Sequence, residues 1–314
     1  MSLQFFPDGR FKHFLSLEGV PRSALEYLLD SAQQLHVNAM GGTVLRHNLQ
    51  GKTVCNLFFE NSTRTRSSFL LAAQRLGADV FTFDASTSSG KKGETDIDTL
   101  KNLEAMGVNA FVIRHSENGA VEKLAQAANP GTCVINAGDG RHQHPTQGLL
   151  DMLSIRQVKG HDFSKLKILI AGDIKHSRVA RSDLNALRTL NTGEVRVCGP
   201  ASLLPEDDTI AGCERFEDFD QAIKGVDVVM MLRLQRERME EALVASLDSY
   251  FRDYGLTQKR LASAKTNAIV MHPGPMNRGV EIANEVADGP QSIILPQVSN
   301  GVAARMAVLN ALLA

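Results

Sequence analysis

Short β-branched runs alternate along the chain with stretches whose apolar residues recur at helical spacing. The runs at 53–59, 79–84, 110–114, 133–137, 167–171, 195–198, 227–232 and 268–272 predict strands. Helical spacing over 67–76, 94–106, 120–128, 178–190 and 243–254 predicts helices between them. Strands that alternate with helices predict parallel sheets joined by right-handed crossovers. The fold class is therefore α/β, with two parallel-sheet α/β domains. A break is expected near Lys159-Gly160-His161-Asp162, after a helix that opens at Pro145. A last helix over 301–313, apolar at Val302, Met306, Leu309 and Leu313, is expected to dock on one of the halves. There is no repeat at a fixed period and no low-complexity segment.

Composition narrows the function classes. The chain has 314 residues with Lys+Arg 34 against Asp+Glu 35, a formal net charge of −1. That excludes a general polyanion-binding surface while leaving room for a local basic pocket. Aromatics are 5% and there is no Trp, so stacking platforms for single-stranded nucleic acid are not expected. Cys55, Cys133, Cys198 and Cys213 form no C-x-x-C pair, which disfavours a zinc site or a disulfide framework and fits a reducing compartment. The first residues carry Asp8, Arg10 and Lys12 rather than a long apolar run, and the apolar stretch at 228–232 is too short to span a bilayer. A soluble, cytoplasmic protein with no membrane or nucleic-acid partner is the expectation. Asn61-Ser62-Thr63 matches a glycosylation acceptor that such a protein would never present to that machinery.

Phe58-Phe59-Glu60-Asn61-Ser62-Thr63-Arg64-Thr65-Arg66 stands where a strand gives way to a helix. Ser62 is placed to cap that helix and Gly77 to close it. Ligands of parallel sheets bind at the carboxyl ends of strands. A helix N-terminus there attracts anions. Three hydroxyls and two guanidiniums at one point suit a phosphate better than a carboxylate. The alternative is a solvated, well-capped helix start. The common nucleotide-cradling motifs are absent, and Gly90-Lys91-Lys92-Gly93 lacks the upstream glycine of a P-loop. A small phosphorylated substrate remains open.

Asn136 to Gln147 forms a second such junction. His142 and His144 could chelate a metal, but only Asp139 offers a third ligand, so a metal site is disfavoured. His144 beside Gln147 is better placed to donate to a substrate oxygen. Arg114, Arg178, Arg233 and Arg278 follow other strand ends. Each could be an ordinary surface charge. Their recurrence at the functional edge of both halves points to a ligand pair with several negative charges, since arginine suits bidentate recognition of carboxylate and phosphate.

From about His13 to the C-terminus the chain resembles the carbamoyltransferases. Ser62-Thr63-Arg64-Thr65-Arg66 is similar to their carbamoyl-phosphate motif, and His144-Pro145-Thr146-Gln147 to their second shared motif. The ornithine branch carries a His-Cys-Leu-Pro segment and a Ser-Met-Gly loop. This chain has His272-Pro273-Gly274-Pro275 and no Ser-Met-Gly. Arg233-Leu234-Gln235-Arg236-Glu237-Arg238 instead resembles the loop of the aspartate branch. The segment 276–282 resembles a variant found with dihydroorotase-like partners.

The resemblance implies a carbamoyl-phosphate domain over 1–144 plus about 299–314, with the last helix returning to it, and an aspartate domain over 158–296. It implies attack of the α-amino group of L-aspartate on carbamoyl phosphate, giving N-carbamoyl-L-aspartate and phosphate for pyrimidine synthesis, with no metal or organic cofactor. Ser62, Thr63, Arg64 and Thr65 would bind the phosphate. Arg114 and His144, with Thr65 nearby, would polarise the carbonyl oxygen, and Gln147 would meet the carbamoyl amide. Arg178 would grip the α-carboxylate of aspartate, and Arg233 with Gln235 the β-carboxylate. Backbone carbonyls at Gly274 and Pro275 would receive the amines. Ser88 and Lys92 would reach into the site of an adjacent subunit, which implies a homotrimer with shared sites. Apart from the resemblance, Glu60 beside the phosphate motif is expected to pair with Arg178 and Arg238 as the domains close, the alternative being a surface carboxylate that contributes little. A dihydroorotase-like or regulatory chain is a possible further partner. The alternatives are a carbamoyltransferase for a cationic amine such as ornithine, which would meet Arg233, and a non-catalytic scaffold, which would need none of these motifs.

Overall fold

The computed structural model describes residues 3–40, 47–84, 93–235 and 246–314. The chain divides into two compact units: residues 1–153 with 300–314, and residues 154–299.

The first unit opens with helix α1 (Arg22–Met40), followed by β1 (Thr53–Phe58), α2 (Thr63–Arg75), β2 (Asp79–Asp84), α3 (Asp96–Ala105), β3 (Ala110–His115), α4 (Ala120–Ala127) and β4 (Cys133–Asp139). Its sheet runs β2-β1-β3-β4, with every pairing parallel. β1 is buried from Val54 onward and β4 along its whole length. Strands covered on both faces read as continuous apolar runs, which is why the pattern marks them so clearly. Leu57, Leu100, Phe111, Ile113, Val121 and Val134 form part of the core. α3 is fixed at its start by a reciprocal cap, with Thr95 accepting from Asp98 N–H and Asp98 accepting from Thr95 N–H.

Helix α5 (Pro145–Lys159) carries the chain from the first unit into the second. There follow β5 (Lys167–Ala171), α6 (Arg178–Thr189), β6 (Glu194–Cys198), β7 (Glu214–Phe216), α7 (Phe219–Ala222), β8 (Val228–Met231), α8 (Leu247–Tyr254), α9 (Gln258–Leu261), β9 (Ile269–Met271) and α10 (Asn284–Ala287). This sheet runs β7-β6-β5-β8-β9, again parallel throughout. Leu169, Val229, Met231, Val270, Ile282 and Val286 lie in its core. Helix α11 (Ile294–Leu313) ends the chain, and from Asn300 onward it belongs to the first unit.

Three differences from the pattern have physical reasons. α2 starts at Thr63, not at 67, because its first turn is polar and carries no apolar spacing. α1 buries Leu25, Leu28, Leu29, Ala32 and Leu35, a helical face that the strand-dominated pattern passes over. β7 has three residues, two of them exposed, too short a run to read as alternation. The helix expected over 243–254 is described from Leu247, where Ser246 and Ser249 form its cap. Residues 243–245 lie outside the described residues.

All four cysteines are free, and Cys55, Cys133 and Cys198 are buried. Burial pushes the Cys55 and Cys198 thiols up to about 12 and Cys133 to about 11, so none of these three is a thiolate at neutral pH. Among the described residues, no helix is long and apolar enough to cross a membrane.

Candidate functional site

In the first unit the strand ends of β1, β3 and β4 carry the expected side chains. Ser62 occupies the N-cap position of α2 with extended backbone, φ −158°, but its hydroxyl makes no capping hydrogen bond. The expectation that Ser62 caps through its side chain is therefore corrected. The helix dipole and the first-turn N–H groups at this end favour an anion. Thr63 and Arg64 are exposed and Thr65 is buried. Ser68 Oγ donates to the carbonyls of Arg64 (2.7 Å) and Thr65 (2.9 Å), which ties the first turn to the second.

Arg114 sits at a register shift. β3 and β4 pair Ile113 with Asn136 and then His115 with Asp139, so Ala137 and Gly138 together oppose Arg114. A bulge of this kind re-aims a side chain beside a site. The Arg114 guanidinium donates through Nη1 to Ala137 O and through Nη2 to Glu60 Oε1, both at 3.2 Å. The ion pair with Glu60 is mostly buried on the Arg114 side.

The turn after β4 is built on Asp139. Its carboxylate accepts from Asn136 Nδ2, Gln143 N and Gly119 N, and His142 Nδ1 lies 3.4 Å away. Burial pushes the Asp139 carboxyl up, but His142, Asn136 and Gly119 outweigh it and the net shift is downward. Among the described residues no group of three or more His, Cys, Asp or Glu side chains could hold a metal ion. His144 is buried just ahead of α5, and its carbonyl accepts from Gln147 N–H at 2.9 Å. The Gln147 side chain, in the first turn of the helix, is also buried and donates to Asp151.

In the second unit Asp173, after β5, joins two loops. Its Oδ1 lies 2.7 Å from His176 Nδ1 and accepts from His176 N, while Oδ2 accepts from Gln235 N at 3.2 Å. Burial pushes the Asp173 carboxyl up, and the His176 contact offsets part of that rise. The same carboxylate thus ties the turn before Arg178 to the segment after Arg233. Arg178 opens α6, is buried, and follows Ser177, whose hydroxyl accepts from Ala180 N–H. Arg233 follows β8, between the buried Leu232 and Leu234, and Leu232 N–H donates to Ala171 O at 2.7 Å. Arg178, Arg233 and Gln235 therefore sit at the carboxyl ends of neighbouring strands.

The turn after β9 is pinned by a buried pair. His272 Nδ1 accepts from Gly274 N–H at 2.8 Å, which leaves the ring proton on Nε2 facing Glu281 Oε1 at 3.2 Å. Glu281 also accepts from Asn277 N–H. Gly274 has φ 67°, a conformation that favours glycine, and is joined to Pro275 by a cis peptide. Arg278 is not brought to this group. It lies on the surface with both terminal guanidinium nitrogens, Nη1 and Nη2, on Asp288, at 2.7 and 2.8 Å. Asp173, His176, His272 and Glu281 are site-shaping residues that the sequence reading missed. Ser88, Lys92 and Arg238 lie outside the described residues.

Comparison with known proteins matches the chain to two family models in sequence, the second of which includes residues 300–312 of the first unit. Residues 12–157 match the family model for the carbamoyl-P binding domain of aspartate/ornithine carbamoyltransferase, and residues 164–312 match its Asp/Orn binding domain. The aspartate carbamoyltransferase catalytic subunit of Xanthomonas campestris pv. campestris is 67% identical over 312 residues, covering 99% of each chain. The crystal structure of Trypanosoma cruzi aspartate transcarbamoylase with N-(phosphonacetyl)-L-aspartic acid is similar at TM-score 0.87 and 33% identity, covering 99% of each chain. Ornithine carbamoyltransferase from Thermus thermophilus matches at TM-score 0.85 and 26% identity, over 96% of this chain and 99% of that one.

Proposed function

The chain belongs to the aspartate/ornithine carbamoyltransferase family, and we propose on that premise that it transfers the carbamoyl group of carbamoyl phosphate to the α-amino group of L-aspartate. The products are N-carbamoyl-L-aspartate and phosphate, an early step in pyrimidine synthesis. The observation that carries this reading is the full-length 67% identity to an aspartate carbamoyltransferase catalytic subunit. The ornithine enzyme shares the fold, so the fold alone does not choose the acceptor.

The residues then divide as follows. Ser62, Thr63, Arg64 and Thr65 take the phosphate at the α2 N-terminus. Arg114 and His144, with Thr65, stabilise the carbonyl oxygen as it gains charge in the tetrahedral intermediate, and Gln147 meets the carbamoyl NH2. Arg178 takes the α-carboxylate of aspartate, and Arg233 with Gln235 the β-carboxylate. Gly274 and Pro275 offer backbone carbonyls to the amines, a role that the left-handed backbone at Gly274 suits. The amine nitrogen attacks the carbonyl carbon, a C–N bond forms, and the C–O bond to phosphate breaks. The departing phosphate takes up the amine proton. Catalysis on this reading comes from positioning and preorganised charge, with no covalent step on the protein.

Cytoplasmic location, a homotrimer with Ser88 and Lys92 entering the neighbour's site, and a dihydroorotase-like or regulatory partner belong to the same proposal. So does the closing role of Glu60 with Arg178 and Arg238. The free thiols support a reducing compartment.

Purified protein should form carbamoyl aspartate, and its kcat/KM for aspartate should exceed that for ornithine by about a thousandfold or more, because an ammonium would replace a carboxylate against a guanidinium. Comparable citrulline formation would overturn the acceptor assignment.

Asp173→Asn tests how the acceptor loops are supported. Its carboxylate accepts from Gln235 N–H and faces the His176 ring. An Asn in its place keeps one acceptor and loses the charge. KM for aspartate should rise about tenfold or more, while direct carbamoyl-phosphate binding changes less than twofold. An unchanged aspartate KM would show that the two loops hold without it.

A further inference from the structure

The side-chain amide of Gln147 is held on one side only by chemistry that leaves no choice of orientation. Its nitrogen lies 3.1 Å from Asp151 Oδ1 and 3.3 Å from Oδ2. Asp151 stands one turn further along α5 and is fully buried. An ionised carboxylate only accepts hydrogen bonds, so the face of the Gln147 amide turned to it must be the NH2. The amide oxygen is thereby turned away from Asp151.

A buried cation from another helix favours that ionised state. Arg305, on α11, is itself buried. It donates from Nη1 to Gly301 O at 3.0 Å, and its guanidinium lies 5.1 Å over the ring of Phe69 on α2. Gly301 leaves the space it occupies: a Cβ there would stand 2.5 Å from Arg305 Nη1 and 3.4 Å from Leu150 Cδ2, next to Asp151 on α5. Burial pulls the guanidinium down to about 10, and the Asp151 charge opposes that fall. It therefore remains a cation at neutral pH, and a cation at this place favours the carboxylate over the acid.

We propose that Asp151, beside Arg305, is a positioning residue that sets the polarity of the Gln147 amide, so that Gln147 offers its oxygen to the NH2 of the carbamoyl group and selects that group against an acyl group of the same shape lacking N–H. The proposal deepens the functional reading above and rests on it. Gln147 supplies the contact, and Asp151 decides that the contact is an acceptor. A free glutamine could turn either edge to the ligand and would discriminate less.

The test compares two ligands, carbamoyl phosphate and acetyl phosphate, which differ by NH2 against CH3. Their affinities for the purified protein are measured by calorimetry. Asp151→Asn should lower the preference for carbamoyl phosphate about tenfold, with acetyl phosphate affinity changed less than twofold. A residue that merely stabilised α5 would weaken both ligands together and leave the ratio as it was, and that result overturns the proposal. In a Gln147→Ala background the same Asp151→Asn change should leave the ratio unmoved. If Gln147→Ala alone keeps the wild-type ratio, the reading of Gln147 fails. If Gln147→Ala loses it and Asp151→Asn does not, only the positioning role fails. Should Asp151→Asn not fold, 15N-glutamine labelling of the wild-type protein gives the same decision. The Gln147 NH2 signals, identified by their loss in Gln147→Ala, should exchange slowly and hold their shifts when carbamoyl phosphate is added. Rapid exchange, or a large shift on binding, would show the NH2 facing the ligand and overturn the proposal.

Discussion

Arg233→Ala should lose about 2–5 kcal/mol of transition-state stabilisation toward aspartate, a fall in kcat/KM of roughly thirtyfold to several thousandfold, with carbamoyl-phosphate binding intact. The size follows from where the side chain is rooted. Leu232 and Leu234 on either side are buried, Leu232 N–H is fixed on Ala171 O, and Gln235 N–H is fixed on Asp173. Removing the Arg233 side chain leaves that backbone in place, so the measurement reports the guanidinium rather than a collapsed loop. A β-carboxylate brought into the site would then be left without its partner, which is more costly than the net worth of the ion pair. Arg233→Lys keeps the charge and loses the planar fork, so it should recover part of the rate but not all of it. Near-normal kcat/KM for aspartate in Arg233→Ala would mean that the β-carboxylate is bound elsewhere, and Arg178 would be the first residue to examine.

β1, β4 and β5 were legible because they are buried along nearly their whole length. The run 167–171 coincides with the observed β5, whereas 79–84, the edge strand β2, is exposed at Asp79, Phe81 and Thr82 and was legible from its β-branched and aromatic residues instead. The junctions that follow them were legible too, because polar and cationic residues cannot be explained there as packing. Partner choice was not. Asp173 meets Gln235 across 62 positions and His272 meets Glu281 across nine. No local spacing distinguishes these carboxylates from surface ones. The same holds for Arg278, which resembles the other strand-end arginines in sequence and ends on Asp288 at the surface. Ser62 shows the finer limit. Its position at the start of α2 could be read, but whether its hydroxyl turns back to the helix depends on a rotamer that sequence does not specify. The bulge at Arg114 is likewise a property of two strands together.

Mixed trimers of Lys92→Ala and Arg64→Ala should recover activity that neither parent has. The proposal puts Lys92 in the neighbour's site and Arg64 in its own. Each homotrimer then lacks one essential cation at every site, and carbamoyl phosphate with aspartate brings several negative charges that the remaining residues would offset poorly. When the two variants are unfolded together and refolded, a subunit with intact Lys92 can stand beside one with intact Arg64. That interface carries a complete site, while its counterpart carries two defects. With random assembly, each interface has about one chance in four of the productive pairing, so roughly a quarter of wild-type activity is the ceiling at equal input. A site built within a single chain cannot be rescued by mixing, because every chain still carries its own defect. Mixed trimers verified by native mass, with activity no higher than the parents, would therefore remove the shared site from the proposal and leave Lys92 as a solvated loop charge. Recovered activity that scales with the product of the two inputs would establish that a complete site requires two subunits.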